Sequence, residues 1–272
     1  MILLAVGDRL LRYLSTAFWL SLTLLNTAAV KADVPMALER LMTDGKGTTK
    51  LNLALTYNNS GSGTLQNTDV VIKSLILRHG LTDQADIYGR GNYIHSQERI
   101  SYHKKYKHSL QNVWLGASYK FKPDNATPAL IGFVETAFEK GRKDSRVFKS
   151  WVAGITTYKA IDPIVLIMSG YYSLNLPRKY DHDAINPGNT LALNPSIAFT
   201  ANDRVTLNMG VNWTNAWPYR TNNRKRSRIT STDLQLGVDY GFSDEDILNV
   251  TLASNVSGVQ GTSLRFDWLH TF

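Results

Sequence analysis

The chain closes with SLRFDWLHTF, residues 263–272. Leu264, Phe266, Trp268 and Phe272 share one parity, and Arg265 and Asp267 share the other. Successive side chains of a strand point to opposite faces, so a strand here is greasy on one side and charged on the other. An open strand edge has no place in hydrocarbon, where every backbone group needs a partner. The stretch therefore reads as the last stave of a closed membrane barrel. Its apolar parity would face acyl chains, Arg265 and Asp267 would face a wet interior, and Phe272 would sit at the interface.

The same alternation runs back through the chain. In RVTLNMGVNWTN (204–215) Val205, Leu207, Met209, Val211 and Trp213 oppose Thr206, Asn208, Gly210 and Asn212. TDLQLGVDYGF (232–242) repeats the pattern, as do LNVTLASNV (248–256) and KLNLALTY (50–57). About twelve such segments are counted, near 49–58, 69–79, 85–95, 110–121, 128–138, 148–159, 164–174, 189–200, 204–214, 229–242, 247–256 and 261–272. Each is long enough to cross a bilayer at a tilt, for which about 9–11 residues suffice. Their connections alternate between tight turns (81–84, 122–128, 160–163, 201–203, 243–246) and mostly longer loops (59–68, 96–109, 139–147, 175–188, 215–228). Short turns on one rim and long loops on the other are the asymmetry of an outer-membrane barrel. The plentiful aromatics (Trp114, Tyr158, Trp151, Trp213, Trp217 and Trp268 among them) are expected at its rims. The predicted fold is all-β: a transmembrane antiparallel β-barrel of about twelve strands, with short periplasmic turns, longer extracellular loops and a short N-terminal helix.

Composition agrees. Mean hydropathy is −0.21, too low for a helical membrane bundle. Arg9 and Arg12 precede an apolar stretch from Tyr13 to Val30, followed by Val30-Lys31-Ala32. That order predicts a secretory signal peptide over residues 1–32. The 272 residues include no cysteine, which removes thiol chemistry and Cys-ligated metals. Net charge is +8; residues 1–32 hold three bases (Arg9, Arg12, Lys31) and one acid (Asp8), which leaves +6 after cleavage. A basic exported protein points to anionic surroundings such as lipopolysaccharide, and away from nucleic acid. Residues 33–48, with Pro35 near the start and Gly45 after an apolar stripe of Met36, Leu38, Leu41 and Met42, predict a short periplasmic helix and linker, which reads either as a plug for the pore or as a loosely ordered leader. Residues 49–272 form the barrel.

Charges on the lumen parity are the candidate selectivity residues: Lys73, Asp86, Arg90, Glu135, Asp239, Arg265 and Asp267. Asp86/Arg90 and Arg265/Asp267 are expected to brace one another across the interior. Two basic stretches, HKKYKH (103–108, with Lys104, Lys105 and Lys107) and RTNNRKRSR (220–228, with Arg224, Lys225, Arg226 and Arg228), fall on the external side. They are candidates for lipopolysaccharide phosphates, near which each cation gains about 1 kcal/mol. Catalysis is not expected. His95/Ser96 and His108/Ser109 are sequence neighbours, so each pair points to opposite faces, and neither matches the His-x-Ser-Asn pattern of outer-membrane phospholipases. The histidines show no metal spacing along the chain, so neither a metal nor a cofactor is expected.

FDWLHTF (266–272) resembles the C-terminal β-signal read by the bacterial barrel assembly machinery, with Phe266, Trp268 and Phe272 in the signal positions. His270 departs from the apolar residue usual third from the end. NLP (175–177), INPGNTLALNPSIAF (185–199) and TDLQLGVDYGFSDEDILNVTLASNVSG (232–258) resemble the outer-membrane transporter family named after the meta-pathway of phenol degradation. The channel that secretes functional amyloid in the Fap system looks like a relative. The resemblance covers about residues 165–272. It implies a conduit of about twelve strands in a Gram-negative outer membrane, with a helical plug in the amyloid-secreting branch. That branch also carries a periplasmic coiled coil, for which residues 33–49 are too short. The expected function is passage of small solutes, aromatic or other apolar compounds among them. The alternatives are secretion of an unfolded polypeptide such as an amyloid subunit, and a surface barrel that binds lipopolysaccharide or partners through its basic loops.

Overall fold

The computed structural model describes residues 45–61, 66–100, 103–138, 148–180, 183–222, 224–225, 227–257 and 261–272. The predicted signal peptide and most of the predicted helix lie outside these. Among the described residues every regular element is a strand. In chain order they are β1 (Thr49–Gly61), β2 (Gln66–Gly80), β3 (Ala85–Ile100), β4 (His103–Lys122), β5 (Ala129–Phe138), β6 (Phe148–Ile161), β7 (Ile164–Asn175) and β8 (Arg178–Tyr180). Then follow β9 (Asp183–Asn186), β10 (Thr190–Asn202), β11 (Val205–Ala216), β12 (Arg220–Thr221), β13 (Arg224–Lys225), β14 (Ile229–Gly241), β15 (Asp246–Ser257) and β16 (Gly261–Thr271).

Twelve of them close into a single antiparallel barrel in the order β1-β16-β15-β14-β11-β10-β7-β6-β5-β4-β3-β2. The seam runs from Lys50↔Thr271 to Ser60↔Gly261, and the Phe272 N–H extends it by donating to the Thr49 carbonyl (2.9 Å). The remaining strands, β8, β9, β12 and β13, form a small sheet in the order β13-β12-β9-β8. It joins the β7–β10 and β11–β14 connections, two neighbouring loops on the long-loop rim, through the pairs Arg220↔Asn186 and Thr221↔Ile185.

The wall is apolar outside, and at β1 its inner row is mainly polar. On β1, Lys50 is 2% exposed and Asn52 8%, whereas Leu53 and Leu55 are 41% and 44% exposed. Large exposed apolar side chains continue around the outer face, including Leu75, Leu115, Val134, Ile155, Met209 and Leu236. Water-soluble monomers rarely expose contiguous apolar patches beyond a few hundred Å²; a belt around the whole circumference requires lipid. Aromatic pairs border it. Tyr119–Phe121 and Tyr240–Phe242 stand at the short-turn end, in edge-to-face contact at 5.1 and 4.9 Å, and Tyr172–Trp217 at the other, at 5.9 Å.

Local chemistry sets the short-turn rim. Thr82 Oγ1 accepts from the N–H groups of Gln84 and Ala85, and Ser243 Oγ from those of Glu245 and Asp246, the side-chain-to-backbone bonds that tighten such turns. Gly47, at φ +86°, turns the chain into β1, with its N–H donating to the Gly80 carbonyl. Asp124 clamps two turns together: Oδ2 accepts from Ala160 N–H (2.8 Å) and Oδ1 from Lys159 Nζ (2.9 Å). Its partial burial pushes the carboxyl pKa up, but the Ala160 N–H, the Lys159 hydrogen bond and the Lys159 charge outweigh this and hold it below the ordinary range.

The terminal segment explains its own irregularity. His270 lies on the outer face between Trp268, stacked at 5.7 Å, and Phe272, edge-on at 4.5 Å. Its Nδ1 and Trp268 Nε1 both reach Asp246 Oδ1 at 2.9 Å. The ring fills an aromatic place in the ladder, and the turn carboxylate satisfies its nitrogen.

The stretch HKKYKH, expected as loop, is strand. Lys104, Lys105 and Lys107 pair with Arg99, Glu98 and Ser96 in the extended β3–β4 ladder. Backbone pairing does not need an apolar face, so the hairpin continues beyond the residues whose alternation marks it.

Because Asp124 is held below the usual carboxylate range, its contribution to stability is fully present above about pH 4 and is lost as pH falls through its folded-state value. Asp124→Asn should lower the unfolding free energy by about 1–2 kcal/mol at pH 7, measured by urea titration in lipid vesicles, and the difference from wild type should shrink steadily in acid.

Candidate functional site: the lumen

Strand registers fix which residues face the bore. Asp86, Arg90, Glu135, Asp239, Arg265 and Asp267 all lie on the inner rows, with Lys50, Asn52, Asn194, Asn208, Gln235 and Asn249. Lys73 does not. It pairs with Leu55 and Tyr93 on the outer face, and the expectation of a lumen charge is corrected. The cause is legible in β2: Val70-Val71-Ile72 and Leu75-Ile76-Leu77 are apolar on both parities, so no alternation decides the register. The seam of β1 decides it instead, placing Leu75 and Leu77 outward and Ile72 and Ile76 inward. An outward lysine near a membrane rim can lay its apolar stem along the wall and lift its ammonium to the interface.

The charge pairing also differs from the expected one. Arg265 does brace Asp267, with Nε and Nη2 donating to its two carboxylate oxygens at 2.7 and 2.6 Å. Asp86 and Arg90, however, are four residues apart on one strand, about 13 Å along it. Each takes a cross-strand partner. Asp86 Oδ2 accepts from Arg78 Nη1 (3.3 Å), which also donates to Ser118 Oγ (3.0 Å). Arg90 Nη2 donates to Glu135 Oε2 (2.8 Å), and Tyr88 donates its hydroxyl proton to Glu135 Oε1 (2.9 Å). The two arginines lie over aromatic faces, Arg78 on Tyr88 at 4.5 Å and Arg90 on Trp114 at 4.6 Å. On the opposite wall Asp239 accepts from Asn208 and Asn249 at 2.5 and 2.8 Å, and Asp233 from Asn255.

The lumen therefore has two unlike walls. Inner rows of β2–β7 carry Ile72, Ile76, Tyr88, Trp114, Phe133 and Tyr171, and the inner rows of β10–β16 carry mostly amides, hydroxyls and carboxylates. Trp114 and Tyr158, expected at the rim, belong to the first wall: Trp114 faces Arg90 across one ladder, and Tyr158 pairs Ala129 on the inner row. Two glycines seat this wall's rings. A Cβ at Gly116 would lie 2.5 Å from the Tyr88 ring, and one at Gly154 2.4 Å from the Phe133 ring. Both rings fold flat against the barrel instead of standing across the bore. A 460 Å³ cavity lies on the apolar wall, lined by Trp114, Phe133, Val152 and Tyr171 beside Arg90 and Glu135. A 250 Å³ cavity lies on the polar wall, lined by Asn194, Asn208, Gln235, Asp239 and Asn249. Near the short-turn end Lys50, Asp86, Asp239, Asn249 and Asp267 are buried, so polar side chains crowd the bore there.

Of the outer basic residues, Arg228 is tied down: Nε donates to Asn215 Oδ1 (2.7 Å) and the guanidinium lies 5.7 Å from the Trp217 ring. Arg224 and Lys225 form β13, with Lys225 exposed; Arg226 lies outside the described residues.

No family model matches the chain, and no curated protein matches it in sequence. Among solved structures it is similar to an outer-membrane channel from Pseudomonas putida F1, at 11% identity and TM-score 0.70 over 89% of this chain and 100% of that one. It is also similar to the translocator domain of the autotransporter NalP from Neisseria meningitidis (11% identity, TM-score 0.56, 87% and 92% covered). The beta domain of the Bordetella autotransporter BrkA is a third (10%, 0.53, 84% and 100%). At these identities the likeness is one of fold, that of the closed outer-membrane barrel.

Arg90→Ala leaves Glu135 desolvated with Tyr88 as its remaining partner, and should cost about 2 kcal/mol in urea unfolding from vesicles; the paired replacement Arg90→Met with Glu135→Leu should recover most of it.

Proposed function

We propose that the barrel is an outer-membrane conduit for small solutes that carry an apolar or aromatic face and a polar one. The observation that carries this reading is the two-walled lumen: rings and aliphatic side chains on β2–β7 face amides and hydroxyls on β10–β16. A bore for ions alone has no use for Trp114, Phe133 and Tyr171 on its inner rows, since uncovered apolar surface in water costs about 25 cal/mol per Å². A solute with one apolar face covers that surface and keeps its polar edge against the amides. The likeness in fold to a bacterial channel supports a conduit.

The paired charges favour weak ion selectivity. Arg78/Asp86, Arg90/Glu135 and Arg265/Asp267 each cancel locally. Solute discrimination would then rest on the apolar wall. Residues 33–48 would act at the periplasmic mouth, and the basic residues of the outer rim would contact lipopolysaccharide.

The test is flux into proteoliposomes together with single-channel recording in planar bilayers. A phenyl-bearing alcohol should enter severalfold faster than a polyol of equal size, and Trp114→Asn with Phe133→Asn should erase that preference while leaving salt conductance within about twofold. Equal rates for both solutes in the wild type would sink the apolar-wall reading, and no conductance with or without residues 33–48 would sink the conduit.

A further inference from the structure

The register of β3 and β4 brings together two histidines that no spacing along the chain connects. His95 lies directly opposite His108. Their Nδ1 atoms are 2.8 Å apart and their rings 4.3 Å apart at an interplanar angle of 52°. Both point away from the bore, on the face that carries exposed Tyr93 and Leu110 one row nearer the periplasmic rim. The pair thus stands just above the apolar belt, at the outer interface, and takes no part in the lumen. Exposed Tyr106 tilts against His95 from the next row, with ring centroids 6.4 Å apart.

We propose that His95 and His108 form a cross-strand binding site for a divalent transition cation of the Cu²⁺ or Ni²⁺ type. Imidazole suits these ions, and two ligands held by opposed strands are already in place. The spacing selects among metals. With metal–nitrogen bonds of about 2.0–2.1 Å, nitrogens 2.8 Å apart subtend roughly 85–90° at an ion seated between them. That is the cis angle of square-planar and tetragonal coordination, the geometry of Cu²⁺ and Ni²⁺. A tetrahedral Zn²⁺ would need the nitrogens about 3.3–3.4 Å apart, and the hairpin would have to open. The divalent affinity order places Cu²⁺ first for the same ligands.

Proton bookkeeping is simple. In the metal-free pair one Nδ1 donates a hydrogen bond and the other accepts it. On ligation the donor ring shifts its proton from Nδ1 to Nε2, so each imidazole stays neutral and keeps one N–H. Water fills the remaining coordination positions. The bound ion staples the outer ends of β3 and β4 just beyond the irregularity between Gly91 and Tyr93, where the ladder shifts register.

The test uses untagged protein in detergent, freed of metal by a chelator, titrated with Cu²⁺, Ni²⁺ and Zn²⁺ by calorimetry and, for Cu²⁺, by electron paramagnetic resonance. One Cu²⁺ should bind with a spectrum showing two imidazole nitrogens, and Zn²⁺ should bind at least tenfold more weakly. His95→Ala and His108→Ala should each weaken Cu²⁺ at least tenfold, with the glutamine variants used where alanine prevents assembly. His270→Ala, at the opposite rim, should change nothing. Cu²⁺ binding unaltered in the double variant, Zn²⁺ binding tighter than Cu²⁺, or no binding at millimolar metal would each overturn the site.

Discussion

The pairing of β1 with β16 is the constraint on which the rest depends. In hydrocarbon an unpaired N–H or C=O costs several kcal/mol, so a sheet survives there only if its first and last strands find each other. Eleven residue pairs make that seam, and the Phe272 N–H adds a bond beyond the last. Closure sends the two ends of the barrel to the same rim. It also forces every strand to present one parity to lipid and the other to the interior. A single-residue slip at the seam would turn Arg265 and Asp267 into the bilayer. The aromatic and charged parities of the terminal strand oppose such a slip from both sides.

Inside the cylinder the alternation rule is relaxed, because nothing requires a lumen to be uniformly polar. Strands β10–β16 obey it closely and line their side with amides and hydroxyls. Strands β2–β5 break it and bring Ile72, Ile76, Trp114 and Phe133 inward. The arginines of this wall are accommodated by ring faces and by carboxylates one or two strands away. Charge is thereby placed on a greasy surface without being left unpaired.

The same division separates what was readable from what was not. Where alternation is strict, as in 204–214 and 232–242, inner and outer residues follow directly, and Asp239, Asn208 and Asn212 fall where the pattern puts them. Where both parities are apolar, as in 70–77, the pattern is silent, and Lys73 comes out on the wrong face. Trp114 and Tyr158 mislead for a related reason: an aromatic near a strand's end suits a rim and a lumen equally well. Doubly apolar strands in an otherwise alternating barrel are themselves a signal, marking the stretch of wall whose interior is not wet. Partners across strands, such as Arg90 with Glu135 or His95 with His108, stand 45 and 13 residues apart, and only the register discloses them.

The small sheet of β8, β9, β12 and β13 stitches two surface hairpins into one object. Neither can drift alone: shortening the 183–186 segment would strip Arg220 and Thr221 of their partners on the β9 side and leave them paired to β13 only. The exposed face that antibodies or phage would meet here is a single epitope encoded in two places, and sequence change at one must be matched at the other.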